Sequence, residues 1–183
     1  MTVMINEEKH GTKAQEVNEM IERLTSIDWY HQAGVQEETA ADHVHQFMKE
    51  LGVTEYELKW LTKEEAPSVV PSLSLNDSAF WEVLKDIPDR LKAKIDQNEQ
   101  QQLLETTVDL VPEAVFHGAF AKAFSVFKDE KTVQFLVGHA MYISVMACSA
   151  VLADEIQLFE PVIELLEAGH LPLGPQGNTF YLL

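Results

Sequence analysis

Three side chains in the second half of the chain come closest to a reactive set: Glu113, His117 and His139. Glu113 and His117 are four residues apart, so a helix carries them on one face. Residues 112–127 and 132–153 read as two antiparallel helices joined by the charged turn KDEK at 128–131. With the turn's midpoint between Asp129 and Glu130, position 117 lies level with Tyr142. His139 is then three residues off that level, roughly 4.5 Å along the axis. The two imidazoles can approach if their faces agree. Imidazole is the commonest metal ligand and titrates near neutral pH. The trio is therefore a candidate metal or cofactor site, with a proton switch as a lesser variant. The competing reading is structural: core histidines satisfied by backbone carbonyls or by Tyr142. The sequence favours it, because no HExxH, no paired carboxylate–histidine motif and no obvious further ligand accompany the trio.

Other reactive constellations are weaker. Glu38, Asp42, His45 and Lys49 share a helical face, and Asp-x-x-His is a step that metal sites in bundles use. A matching pair on a second helix is missing, so the four also read as an exposed polar stripe. His43 and His45, two apart, point about 200° apart on a helix and cannot share an ion there. There is no GxSxG, no GxxxxGK[ST], and no GxGxxG following a strand. Cys148 lies in an apolar run without a neighbouring base, which marks a buried, inert thiol. The aromatic groups Trp29–Tyr30–His31 and Phe80–Trp81 read as core before they read as a ligand pocket.

The elements that must position these groups are helical. Thr12 and Gln15 form a capping-box pattern, and Val17, Met20, Ile21 and Leu24 follow at helical spacing. A second helix is expected from about Val35 or Gln36, with Val44, Phe47, Met48 and Leu51 on its apolar face and Gly52 as its terminator. Residues 53–66 are ambiguous. Thr54 and Glu57 match a capping box, yet the run is short enough for a strand. APSVVPSLSLND, residues 66–77, reads as an extended connector. Asp77 or Ser78 then caps a helix whose stripe is Phe80, Trp81, Leu84, Ile87, Leu91 and Ile95, interrupted by Pro88. A helix over about 100–109 is expected to end before Pro112, which suits the first turn of the next one. Residues 132–153 run 22 positions without a formal charge. In LFEPVIELLEAG, Pro161 fits the first turn, Gly169 the end, and Glu160, Glu164 and Glu167 an acidic line. GHLPLGPQGNTFYLL, residues 169–183, should leave that helix in tight turns and fold back, packing Phe180, Leu182 or Leu183 on the body. Pairing with 53–58 or 68–75 as an edge strand is the weaker option, and a partner-facing apolar tip is the rival.

The predicted fold is all-α: a helical bundle of about six to eight helices around the central apolar hairpin 112–127 and 132–153, with a short extended C-terminal tail. Residues 1–183 read as one domain, with an N-terminal helical subregion, 1–66, joined by the connector 67–77 to the main helical body, 78–183. At 183 residues roughly 70% of the unfolded surface can be buried, so no disulfide or metal is required.

Charge narrows the function classes. There are 30 acidic residues against 13 basic ones, a formal net charge of -17. Such a surface repels phosphate backbones and anionic lipid, and it attracts cations or basic proteins. Nucleic acid and membrane are not expected partners. A basic N-terminal leader with an apolar core is not seen, and one lone cysteine suits a reducing compartment; a cytoplasmic location is expected. The leading reading is a non-enzymatic binding or regulatory module for a protein partner, with a basic one favoured by charge. No cofactor is expected on that reading. Two rivals stay open: the metal- or cofactor-binding bundle built on His117, His139 and Glu113, and a membrane-anchored accessory protein using 132–153. The length of that segment admits a span, while Gln134, His139, Ser144 and Ser149 within it argue for a core helix.

Overall fold

A computed structural model describes residues 4–53, 56–73, 78–95 and 100–183. The described residues form seven α-helices and a small three-stranded sheet. They are α1 (Glu7–Thr25), α2 (Glu38–Leu51), β1 (Glu57–Trp60), α3 (Ala66–Leu73), α4 (Ala79–Lys94), α5 (Gln101–Phe127), α6 (Glu130–Leu152), α7 (Glu160–Glu167), β2 (Pro172–Gln176) and β3 (Thr179–Leu182). The mostly helical bundle is as the sequence predicts. One cluster of buried apolar residues runs from Ile5 to Leu183.

The helix α6 is the hub, packed by α1, α3, α4 and α5. It is long and apolar enough to cross a membrane, but 72% of its most apolar window is buried inside the fold. Its start is fixed by Asp129, whose carboxylate accepts from the Thr132 N–H at 2.9 Å, the expected role of a residue at a helix N-terminus. Lys128 makes the turn from α5 in a left-handed conformation, φ 55°.

Several local expectations change. Gly11 is non-helical (φ 66°, ψ -151°) inside α1, so a break does fall beside the expected start at Thr12. The stretch read as an extended connector is helix α3 over Ala66–Leu73; residues 74–77 of it, Asp77 among them, lie outside the described residues. Here Thr62 and Glu65 form a reciprocal capping box: the Thr62 N–H donates to the Glu65 carboxylate at 3.0 Å, and the Glu65 N–H donates to the Thr62 hydroxyl at 3.2 Å. That start tolerates Pro67 in the first turn, and burial of Ala66, Val70 and Leu73 along one stripe outweighs the donor lost at Pro71. Of the capping box expected at Thr54 and Glu57, Thr54 lies outside the described residues, and Glu57 opens the strand β1. Nor does a helix end before Pro112. Helix α5 runs through it, because the ridge Leu103, Thr107, Val111, Val115, Ala119, Ala123 and Phe127 is buried without interruption. An interior proline costs about 3 kcal/mol, less than burying that many side chains returns.

Pro88 in α4 shows how such a cost is contained. A proline at 88 leaves the Leu84 carbonyl without its helical donor. The Tyr142 hydroxyl, on α6, donates to that carbonyl at 2.9 Å. Ser78 caps the helix by accepting from the Trp81 N–H at 3.4 Å. Tyr142→Phe should therefore destabilise by about 1–2 kcal/mol when Pro88 is present. With Pro88→Ala the helix supplies its own N–H, and the same change should cost markedly less. Urea titrations of the four proteins in this cycle would show strictly additive effects if the hydroxyl did not fill the gap left by Pro88.

The C-terminal segment is a hairpin. Gly169, at φ 90°, ends α7: its N–H donates to the Leu166 carbonyl and the His170 N–H to the Leu165 carbonyl, both at 3.0 Å, the Schellman arrangement. Strands β2 and β3 are antiparallel, and β1 pairs with β3 in parallel, so β3 is the middle strand. Gln176 pairs with Thr179 across a two-residue turn, with Gly177 at φ 59°, a conformation suited to glycine at the first turn position.

Candidate interaction surface

The structure separates the three candidate ligands. Glu113 and His117 both lie exposed on α5, and the His117 ring sits against Phe116, centroids 5.5 Å apart. His139 points elsewhere. Its Nε2 donates to the Pro172 carbonyl at 2.7 Å, and its ring stacks on Phe135 at 5.7 Å. A carbonyl only accepts, so Nε2 carries the proton. Burial pushes the ring's pKa down to about 4, which keeps it neutral at pH 7. His139 also borders an apolar cavity of about 300 Å³ with Trp81, Leu84, Lys85, Pro88 and Tyr142, where no second metal ligand stands. Among the described residues no group of three His, Cys, Asp or Glu is placed to hold an ion.

The other candidates are dispersed as well. Asp42, His45 and Lys49 line an open surface groove on α2, and Glu38 is exposed one turn earlier. His43 faces away from them, its Nδ1 2.9 Å from the Glu164 carboxylate. Cys148 is buried, and burial pushes its thiol up to about 12, so it is no nucleophile at neutral pH. Trp29 and Tyr30 are core side chains. The acidic line on α7 is largely answered from within: Arg23 reaches Glu160 at 2.9 Å and Glu167 at 2.8 Å.

What the fold leaves uncovered is the aromatic row of α5. The phenylalanines of α5 lie on the hairpin expected at the centre of the fold, yet only Phe127 of the four is buried. Phe116 is 38% exposed, Phe120 42% and Phe124 60%. Their rings form a ladder, with centroids 5.4 Å and 5.9 Å apart and planes within 17°. The cause is a four-residue repeat. Positions 103, 107, 111, 115, 119, 123 and 127 are buried, on a helix packed by α6 and α1. The next row, one residue on, is Leu104, Val108, Pro112, Phe116, Phe120 and Phe124. Small Ala119 and Ala123 let α6 come close, and the phenylalanines one step round the helix are left outside.

A third row follows beside the ladder: Glu105, Asp109, Glu113 and His117, all exposed. The three acids make no ion pair among the described residues. On the opposite flank Lys122 is engaged, its Nζ 2.6 Å from Asp28. Toward its N-terminal end the ladder's row runs into a groove of about 490 Å³ between α4 and α5, bordered by Leu91, Leu104, Val108, Met146 and the acids Asp89 and Asp109. An apolar track thus runs along the helix, from Val108 to Phe124, with carboxylates along its first half.

This arrangement offers a contact surface. The signal for it was present in the sequence as the spacing of four in the Phe row, on a hairpin expected at the centre of the fold. No protein-family model, no curated protein and no solved structure matches the chain.

Proposed function

We propose that this protein is a non-enzymatic, cytoplasmic protein-binding module whose working surface is the outer face of α5. The exposed ladder of Phe116, Phe120 and Phe124 carries the reading. Burying one such side chain is worth about 1.5–3 kcal/mol, and contiguous exposed apolar patches mark interaction sites. Aromatic side chains also dominate the energetics of protein interfaces. The groups with chemical potential support a non-catalytic role: His139 is tied to a backbone carbonyl and Cys148 is held as a buried thiol.

Site-specific photocrosslinking in the native cell tests this. A benzoylphenylalanine at 116, 120 or 124 should give a discrete protein adduct, and one at Val35, which is 44% exposed on another part of the surface, should not. The triple substitution Phe116→Ala, Phe120→Ala, Phe124→Ala should abolish the complex with a melting temperature within a few degrees of the parent, since exposed positions shift stability little. Equal labelling at Val35, or a complex that survives the triple substitution, would remove the ladder from the function.

A further inference from the structure

We infer that the occupant of this face is a basic amphipathic helix, one with an apolar ridge repeating every four residues and Lys or Arg along its flank. The inference rests on the reading of the α5 face as a binding surface, and it adds the partner's chemistry. An extended peptide that adds as a β-strand needs unpaired backbone donors and acceptors to bind against. The face of α5 has its backbone hydrogen bonds inside the helix, apart from the Val108 carbonyl freed by Pro112, and gives a strand no ladder. A helix satisfies its own backbone and can dock by side chains alone. The ring spacing of 5.4 and 5.9 Å is close to the roughly 6 Å rise of four helical residues. Side chains on a partner's i, i+4 ridge therefore meet the gaps between successive rings, the geometry of ridges packed into grooves. The ladder itself, Phe116 to Phe124, spans about 12 Å, which matches about two turns of a partner helix.

Charge selects which helix. Glu105, Asp109 and Glu113 flank the track and lack partners among the described residues. Elsewhere Glu160 and Glu167 bind Arg23, and Glu155 binds Arg90 and Lys94; what sets Glu105, Asp109 and Glu113 apart is their place beside an exposed apolar row. The row sets three carboxyl groups without ion-pair partners among the described residues beside an apolar strip, and the overall charge of -17 draws cations from a distance. A second copy of this chain would bring the same charge to the contact, and an anionic lipid surface would be repelled. Because the free acids sit along 105–113 and the phenylalanines along 116–124, the partner's basic flank lies over the first half. The contact then has a polarity as well as a composition.

The test uses the whole protein and synthetic helical peptides of about 18 residues, followed by fluorescence anisotropy at low and high salt. One peptide carries a Leu ridge with Lys on its flank, one the same ridge with Glu, and one the Lys residues with the ridge scrambled. The Leu/Lys peptide should bind at least about tenfold tighter than either of the others and weaken as salt rises. Phe116→Ala, Phe120→Ala, Phe124→Ala should lower its affinity by about tenfold or more. Glu105→Gln, Asp109→Asn, Glu113→Gln should cut the preference for Lys over Glu severalfold while leaving the dependence on the ridge, and neutralising three acids elsewhere, Glu38→Gln, Asp42→Asn, Glu57→Gln, should cut it much less. Equal affinity for the Lys and Glu peptides, with the dependence on phenylalanine intact, would overturn the basic partner and leave the binding surface standing. Leu/Lys peptide binding that ignores the phenylalanines would sink both. A dimer in sedimentation that the Phe substitutions dissolve would assign the face to a second copy. Phe-dependent binding to phosphatidylcholine vesicles in place of peptide would assign it to lipid.

Discussion

Deleting residues 178–183 is expected to leave the protein largely unfolded at 37 °C. These residues contain β3, the strand between β1 and β2, so both neighbours lose their partner at once. The Glu57 N–H loses the Asn178 carbonyl at 2.9 Å, the Leu61 N–H loses the Leu182 carbonyl at 2.7 Å, and Leu171 loses its paired bonds to Leu183. Phe180, Leu182 and Leu183 are fully buried. At about 1.5–3 kcal/mol each, their removal takes away roughly 5–9 kcal/mol, against a usual domain stability of about 5–15 kcal/mol. The single substitution Phe180→Ala is the graded version. Its ring meets Phe80 edge-on at 5.2 Å and Tyr56 at 6.3 Å, in a core with no slack to close the gap. It should cost about 3–5 kcal/mol, a fall in melting temperature of roughly 6–20 °C at this chain length. Circular dichroism melts decide the matter. A fall of only a degree or two for Phe180→Ala would return the tail to the role of an accessory tip.

That tail shows which part of a fold a sequence carries. Its composition, charge-free and β-favouring after a run of Gly and Pro, was legible as a folded-back segment. Residues 53–58 stood among the named pairing partners, and the strand β1 begins there. The central position of β3 was not legible, because a strand's rank in a sheet depends on partners about 120 residues away. The competing local signal was also misleading. The pattern T-x-x-E occurs at Thr54–Glu57 and again at Thr62–Glu65, and only the second is followed by residues with an apolar helical stripe. Propensity marked both; tertiary pairing chose between them.

The candidate site was legible in its parts but not in its orientation. The fours in Phe116, Phe120 and Phe124 were visible, as was the hairpin that carries them. Placing the hairpin at the centre of the fold left open which of its rows turns inward. The fold buries the smaller row, with Ala119 and Ala123, and leaves the three large rings exposed. The same step of one residue carried Glu113 and His117 outward, away from His139. Residue spacing fixed which groups share a face; it did not fix which face turns inward.

Gly174→Ala should be the most damaging single-methyl addition in the C-terminal hairpin, for two separable reasons. The residue sits at φ 124°, which L side chains rarely adopt, and a Cβ there would fall 2.3 Å from Cζ2 of Trp81. The indole cannot move aside freely. Its Nε1–H donates to the Pro175 carbonyl at 3.4 Å, and its ring abuts Phe80 at 5.3 Å. Gly174 also lies where the pairing of β2 with β3 shifts register after Pro172, so the strand has no alternative path that keeps both ladders. Backbone strain contributes about 1–3 kcal/mol and overpacking about 1–3 kcal/mol more. Gly177→Ala is the matched comparison: its φ is also positive, but open space surrounds its Cβ position, so it bears only the strain. The Gly174 variant should therefore melt well below the Gly177 variant, and replacing Trp81 with Leu should recover part of the difference in the Gly174→Ala background alone. Equal melting temperatures for the two alanine variants would mean that Trp81 yields, and that the contact between β2 and α4 is looser than the packing of Trp81 on Phe80 implies.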